Sequence, residues 1–373
     1  MKVLFHVQHL LGIGHVRRAA RIASALSKAG ARVTIAQGGF PVPEAGFGDI
    51  ETIQLPPARA SDPGFGSIVG EDGMPIDDGW KARRTAMLLD IHDDLRPDIL
   101  LLETFPFGRR AFRFELLPLL ERARARPGRP LVASSVRDIL VAKKDPAKEA
   151  EMAEIARRHV DLVLVHGDPA FVPFGASFPF ADRIADLIRY TGYVGPDPGP
   201  PPPSDEGRDE IIVSVGGGAV GERLLRIALE AARLSTYRWR LLAGPDLPGP
   251  VFAALAAAAP PSAIVERARP DFTGLLAHCR ASVSQAGYNT VMDILAAGCR
   301  SVLVPFAAGG ETEQAIRARL LAGAGRAQVL EEATLTPEGL AAAVETTAQM
   351  PSPPPAMALN GAEIAAEMLI EAR

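Results

Sequence analysis

The sequence predicts an α/β protein made of two parallel-sheet halves, and three observations carry that reading. Short apolar runs repeatedly meet glycine turns and pass into helix-patterned segments, the β–loop–α–β order of a parallel sheet. The same pattern restarts after a proline-rich stretch near the middle of the chain. At 373 residues the chain exceeds one ordinary core and suits two domains of about 150–200 residues.

The first strand is Val3 to Val7, which meets the turn Gly12-Ile13-Gly14. Val16, Ala19, Ala20, Ala23 and Leu26 then recur on one helical face until Gly30 stops the helix. Arg32 to Ala36 reads as the next strand, closed by Gly38-Gly39. Residues 38–79 are irregular and rich in Gly, Pro and Asp, a length that marks a functional or disordered loop. Ile99 to Leu102, Leu131 to Ser134 and Leu162 to Val165 are further buried strands. Polyproline with flanking charge makes residues 196–210 a semi-rigid linker. Beyond it come strand Ile211 to Val215, turn Gly216-Gly217-Gly218 and a helix from Glu222 to Arg233. Later strands are Trp239 to Ala243, Ser282 to Ser284 and Ser301 to Val304; Pro351 to Pro355 precedes a last amphipathic helix, Ala356 to Arg373.

Composition removes several function classes. Net charge −4 gives no global attraction to nucleic acid. Two cysteines, Cys279 and Cys299, cannot build a disulfide framework, so a reducing cytoplasm is expected. No window reaches the roughly 18 apolar residues of a membrane span, and the N-terminus lacks signal-peptide character.

The Gly216-x-Gly218-x-x-Gly221 spacing, between strand and helix, fits diphosphate binding, NAD binding or merely a tight turn. An NAD site would end the next strand in an acid; here Leu241-Leu242-Ala243-Gly244-Pro245 leaves Asp246 beyond the turn. In the first turn His15 opens the helix, at the sheet edge where α/β ligands bind; it is a candidate base or a capping residue. Odd spacing sends His6 and His9 to opposite strand faces, which argues against a metal cluster with His15. Glu103 ends a strand at the same edge, as a second candidate base or as a partner of Arg109 or Arg110. The segment from Gln285 to Asp293 follows a strand and opens a helix; its small polar start suits a phosphate, Asp293 suits ribose hydroxyls, and Asn289 or Thr290 could equally be an N-cap. Glu313 and Gln314 start another helix after the adjacent strand.

With GIGHVRRAARIASAL near the start and QAGYNTVMDILAAG and VPFAAGGETEQ near the end, the chain resembles GT-B glycosyltransferases, specifically bacterial family 28 enzymes; LETFPFGRRAFRFELLPLL and VHGDP make it resemble more closely a group of bacterial predicted glycosyltransferases. That resemblance implies two Rossmann-like α/β domains facing across a cleft. Residues 1–195 would be the acceptor domain and 211–355 the nucleotide-sugar domain, with 356–373 returning to the first. It implies that Gly287, Asn289 and Thr290 hold the donor diphosphate; Gln285 and the Gly216, Gly217, Gly218 turn are expected to bind the donor with them. Asp293 would stand where the family usually carries a ribose-binding Glu, Arg269 beside the base, and Glu313 and Gln314 facing the sugar. Gly12 and Gly14 would contact the acceptor, with His15 the general base or leaving-group partner.

The expected activity is inverting, metal-independent transfer of a hexosyl or N-acetylhexosaminyl group from a UDP-sugar, with no cofactor, to a lipid-linked or polysaccharide acceptor. Rivals are a sugar-nucleotide epimerase or hydrolase and a non-catalytic sugar-nucleotide sensor. Residues 107–129 carry seven arginines against two glutamates, with Phe112, Leu116, Leu119 and Leu120 on one face around a Pro118 break. They form either a surface for peripheral contact with the inner face of the membrane or, more commonly for such a pattern, an ordinary core-facing helix with a basic exposed side.

Overall fold

A computed structural model describes residues 1–373 apart from 11–13, 43–46, 62–66, 142–144, 197–204, 216–220, 307–311, 352 and 354–357. The chain divides into two compact units: unit 1 is Met1–Val194 with Asn360–Arg373, and unit 2 is Gly195–Leu359.

Unit 1 runs β1 (Lys2–Val7), α1 (Gly14–Lys28), β2 (Arg32–Gln37), β3 (Glu51–Gln54), β4 (Arg59–Ala60), β5 (Ile68–Val69), α2 (Asp78–Leu95) and β6 (Ile99–Glu103). It continues through α3 (Arg113–Ala125), β7 (Leu131–Arg137), α4 (Pro146–His159), β8 (Leu162–His166) and β9 (Ile188–Tyr190). The seven strands β3-β2-β1-β6-β7-β8-β9 pair in that order, all parallel. Strand order therefore reverses between β1 and β6, and the carboxyl ends of those two strands are where such sheets bind ligands.

Local chemistry explains the helices. Asp77 caps α2 by accepting from the Trp80 amide at 2.6 Å. Asp145 caps α4 ahead of Pro146, and Arg157, Arg158 and His159 sit on its negative end. Pro118 does not break α3. A proline at that position cannot bond the carbonyl four residues back; the Phe114 carbonyl instead accepts from Thr85 Oγ1 at 3.4 Å.

Of the two readings of residues 107–129, the core-facing helix fits the structure. Phe112, Leu116, Leu119 and Leu120 are at most 1% exposed, so the apolar face of α3 is spent on the core. Its arginines are committed as well. Arg110 and Arg113 pair with Glu151, Arg122 with Asp93, and Arg129 with Asp161. Among the described residues no helix is long and apolar enough to cross a membrane.

Unit 2 runs β10 (Ile211–Ser214), α5 (Glu222–Arg233), β11 (Trp239–Ala243), α6 (Gly249–Ala258), β12 (Ala263–Arg267), α7 (Phe272–His278) and β13 (Ala281–Ser284). Then come α8 (Tyr288–Ala297), β14 (Ser301–Leu303), α9 (Glu313–Gly323), β15 (Gln328–Val329) and α10 (Pro337–Gln349). The parallel order β12-β11-β10-β13-β14-β15 repeats the plan of unit 1, reversing between β10 and β13. Residues 197–204 of the expected linker lie outside the described residues. Glu210 is buried and holds Arg240 at 2.7 Å, so the chain is already part of unit 2 there.

The last helix, α11 (Gly361–Glu371), belongs to unit 1. Ala362, Ala365, Ala366 and Leu369 join the cluster of Val16, Ala19, Ile22 and Ala23. Val194 and Asn360 form an antiparallel bridge where the chain leaves and re-enters unit 1.

Candidate active site

In unit 1 the loop after β1 starts α1 at Gly14, and β6 ends at Glu103, so both arrive at the point where the strand order reverses. His15 Nδ1 lies 2.7 Å from Glu103 Oε1. On the other side of the ring, Arg137 Nη2 lies 2.7 Å from His15 Nε2. Arginine has no acceptor, so Nε2 must be the unprotonated nitrogen and Nδ1 must carry the hydrogen given to Glu103. The two contacts together fix a neutral imidazole in one tautomer.

The charges agree with that assignment. Burial pulls the His15 pKa down to about 3, helped by the Arg109 and Arg137 charges and opposed by Glu103. Burial alone would raise the Glu103 carboxyl. The hydrogen bond from His15 and the Arg109 and Arg18 guanidinium groups overcome it and hold Glu103 below the usual carboxylate range. Arg18 donates to Glu103 Oε1, and Arg109 reaches Oε2 at 3.5 Å. Glu103 is 1% exposed whereas the His15 side chain is 14% exposed. Of the two candidate bases only the histidine reaches outward.

Backbone conformation aims these groups. Thr104 and Arg109 both sit at positive φ, 68° and 60°. For a β-branched residue that costs on the order of 1–3 kcal/mol. The turn it makes returns Arg109 across the sheet edge, where Nε donates to the Gln8 carbonyl at 2.5 Å. Gln8 Oε1 in turn accepts from Arg84 at 2.5 Å. Arg84 is fully buried, also bonds both oxygens of Glu115, and donates to the carbonyls of Gly38 and Pro56.

In unit 2, the loop after β13 passes Gln285, Ala286 and Gly287 before α8 begins. Gly287 is the N-cap, and a side chain there would meet no described residue within 4 Å. Asn289 and Thr290 lie in the first turn and Asp293 one turn further, half-buried. The buried Asn289 Oδ1 has no hydrogen-bond partner among the described residues. Gln314 Oε1 accepts from the amides of Ala286 and Phe306, both at 3.1 Å, and so ties the loops after β13 and β14 together. Glu313 is buried and takes Arg317 Nη2 at 2.7 Å, while Arg317 Nη1 donates to the Ala286 carbonyl. The pair Glu313 and Gln314 thus holds the loops in place.

Arg269 is bound by carboxylates: Asp271 at 2.7 Å, Glu206 at 2.5 Å and Glu266 at 3.5 Å. It fastens the loop between β12 and α7. Gly12, Gly216, Gly217 and Gly218 lie outside the described residues.

Sequence reasoning found His15 and Glu103 but missed Arg137, Arg18 and Arg84. Arg137 was hidden because the strand appeared to end at Ser134, and it runs three residues further. Arg317 was legible: it stands four residues after Glu313, the spacing of a helical ion pair.

Comparison with known proteins bears on the fold and on the C-terminal part of the chain. Residues 268–370 match the glycosyltransferase family 28 C-terminal domain. A curated relative from Xanthomonas axonopodis pv. citri is UDP-N-acetylglucosamine--N-acetylmuramyl-(pentapeptide) pyrophosphoryl-undecaprenol N-acetylglucosamine transferase. It is 35% identical over 140 residues, 36% of this chain and 33% of that enzyme. A second such transferase, from Nitrosospira multiformis, is 44% identical over 59 residues, only 16% of either protein. Over the whole chain the fold is that of CalG4, the calicheamicin glycosyltransferase, with TM-score 0.62, 18% identity and coverage of 99% and 94% of the two chains. The chain therefore has the fold of GT-B glycosyltransferases, and its residues 268–370 are similar to the glycosyltransferase family 28 C-terminal domain.

Proposed function

We propose that the protein is an inverting glycosyltransferase that moves a hexosyl group from a nucleoside-diphosphate sugar to an acceptor hydroxyl. The observation that carries this is the neutral His15 held by Glu103 with Nε2 as its acceptor nitrogen. The acceptor oxygen attacks the anomeric carbon, its proton passes to His15 Nε2, and the bond to the nucleoside diphosphate breaks with the electron pair leaving on the diphosphate. Glu103 stays ionised and offsets the positive charge that forms on the ring, the role of the third member in a catalytic triad.

The donor belongs to unit 2. Amides at the start of α8, around Gly287, Asn289 and Thr290, form the helix N-terminus, which stabilises negative charge by about 0.3–1 kcal/mol per interaction. Asp293 is the ribose ligand. No metal is assigned to the leaving diphosphate. A UDP-sugar, with an N-acetylhexosaminyl group, is favoured because the curated relatives' names specify UDP-N-acetylglucosamine. The same names make a lipid-linked diphosphate acceptor the first to try.

The test is calorimetric titration with UDP, GDP, TDP, ADP and NAD, with and without Mg²⁺, followed by transfer assays. Micromolar binding of one nucleoside diphosphate, weakened in Asp293→Ala, is expected. Binding of NAD alone, or of nothing, overturns the proposal. Donor consumption at full rate without an acceptor would instead make the protein a hydrolase or epimerase.

Two further outcomes are expected. Gln314→Leu keeps the bulk but removes the acceptor shared by the Ala286 and Phe306 amides, so UDP affinity should fall about tenfold, the effect of one to two net hydrogen bonds. Transfer by the same variant at saturating donor should recover most of its rate. The second concerns acid. Folded His15 holds its proton off until about pH 3 whereas the unfolded chain binds one near 6.5. Its contribution to stability is complete above 6.5 and is lost as pH falls from 6.5 toward 3. Thermal midpoints between pH 7 and 4 should therefore fall less steeply in His15→Asn than in the wild type.

A further inference from the structure

We propose that Arg137 is a positioning residue that caps the lone pair of His15 until an acceptor displaces it, protecting a bound donor from water. The inference rests on the reading of His15 as the base.

One lone pair cannot serve two partners. His15 Nε2 accepts from Arg137 at 2.7 Å, and that same lone pair must receive the acceptor's proton. Nδ1 offers no substitute, because it is engaged with Glu103 at 2.7 Å. As found, the ring is oriented for catalysis but occupied. Among the described residues the charged groups facing it are Glu103 at the end of β6, Arg109 on the following loop and Arg137 at the end of β7, with Arg18 of α1 behind Glu103. Among these, Arg137 alone bonds the outward nitrogen.

The cap stands on firm backbone. Arg137 is half-buried and ends β7. Its neighbour Asp138 is fully buried, and its Oδ1 accepts from the Ile139 amide at 2.9 Å, so the backbone under the cap is fixed. Gly167 packs so tightly on Asp138 that a side chain there would collide with it.

The cap has a chemical purpose. A donor sugar beside an uncapped base is open to hydrolysis: a water oxygen attacks the anomeric carbon, its proton passes to His15 Nε2, and the nucleoside diphosphate departs with the bonding electron pair. With the lone pair held by a guanidinium, water has no base to use. An acceptor that takes the Arg137 guanidinium onto its own oxygens frees Nε2 at the moment its hydroxyl arrives.

The test uses the full-length protein, Arg137→Ala, Arg137→Lys and the double variant with His15→Ala. UDP-N-acetylglucosamine is incubated without acceptor and free sugar is measured. His15 is followed by NMR titration of histidine-labelled protein, and UDP binding by calorimetry. Arg137→Ala should release sugar about tenfold faster or more than the wild type, a barrier change of about 1.4 kcal/mol. Its UDP affinity should be unchanged and its His15 midpoint moved upward. The double variant should return to the wild-type rate, and Arg137→Lys should fall between. An unmoved His15 midpoint overturns the proposal, and so does a raised midpoint with no gain in hydrolysis. If the wild type fails to bind UDP, the donor assignment is what has failed, and the titration still decides whether Arg137 caps the ring.

Discussion

His15→Ala will lower the transfer rate by about 10²–10⁴-fold, the usual range for a lost general base, while UDP affinity stays as it was. The separation follows from where the residue sits. His15 belongs to unit 1, and the groups assigned to the donor belong to unit 2. An interaction made only as the proton moves is felt in kcat and not in ground-state donor binding. Glu103→Gln is the companion measurement. It keeps an oxygen for the Nδ1 hydrogen but removes the charge that offsets the imidazolium and balances Arg18 and Arg109. Its rate should fall nearly as far. A transfer rate within threefold of wild type in His15→Ala would remove the histidine from the chemistry.

Arg84→Met carries the largest expected effect on stability. Arg84 is fully buried and bonds Glu115 twice, Gln8 Oε1 once, and the carbonyls of Gly38 and Pro56. Its guanidinium also lies 5.3 Å from the Trp80 ring and 4.9 Å from that of Phe112. Methionine fills the space but leaves the buried Glu115 carboxylate without this cation, a loss of about 3–5 kcal/mol for a broken buried pair. The chain has two tryptophans, and they report on different units: Trp80 in unit 1 and Trp239 in unit 2. In a Trp239→Phe background, urea unfolding followed by Trp80 fluorescence should show a large drop in midpoint. An Arg84→Met, Glu115→Leu double variant should recover much of it, because the orphaned charge is gone as well. A midpoint within the error of the parent would show that the network contributes little.

Much of this fold was legible because strongly periodic segments leave few alternatives. The helix Glu222–Arg233 and the strand Trp239–Ala243 lie where their apolar spacing puts them. Edge strands were harder. Glu51–Gln54 and Ala263–Arg267 have partly exposed faces, and no continuous apolar run marks them. The candidate base and its carboxylate were visible because each follows an apolar strand, and parallel sheets gather such strand ends on one edge. The arginines around them were not. A buried guanidinium is recognisable only from the acid it meets, and Arg84 meets Glu115 31 residues away. The two readings of residues 107–129 have the same origin. Basic residues flanking an apolar face look alike whether that face meets lipid or a core, and Leu116 and Leu120 meet a core.

The return of the final helix sets an order for biosynthesis. Unit 2 is an uninterrupted stretch from Gly195 to Leu359, so all of its strands have left the ribosome before residue 360 does. Unit 1 is different: the surface of α1 formed by Val16, Ala19 and Ile22 is completed by Ala365, Ala366 and Leu369. The first half of the message therefore encodes a domain that must wait for the last. During elongation its nascent form exposes an apolar face until the second domain has been made. That interval is when a holding chaperone has something to bind.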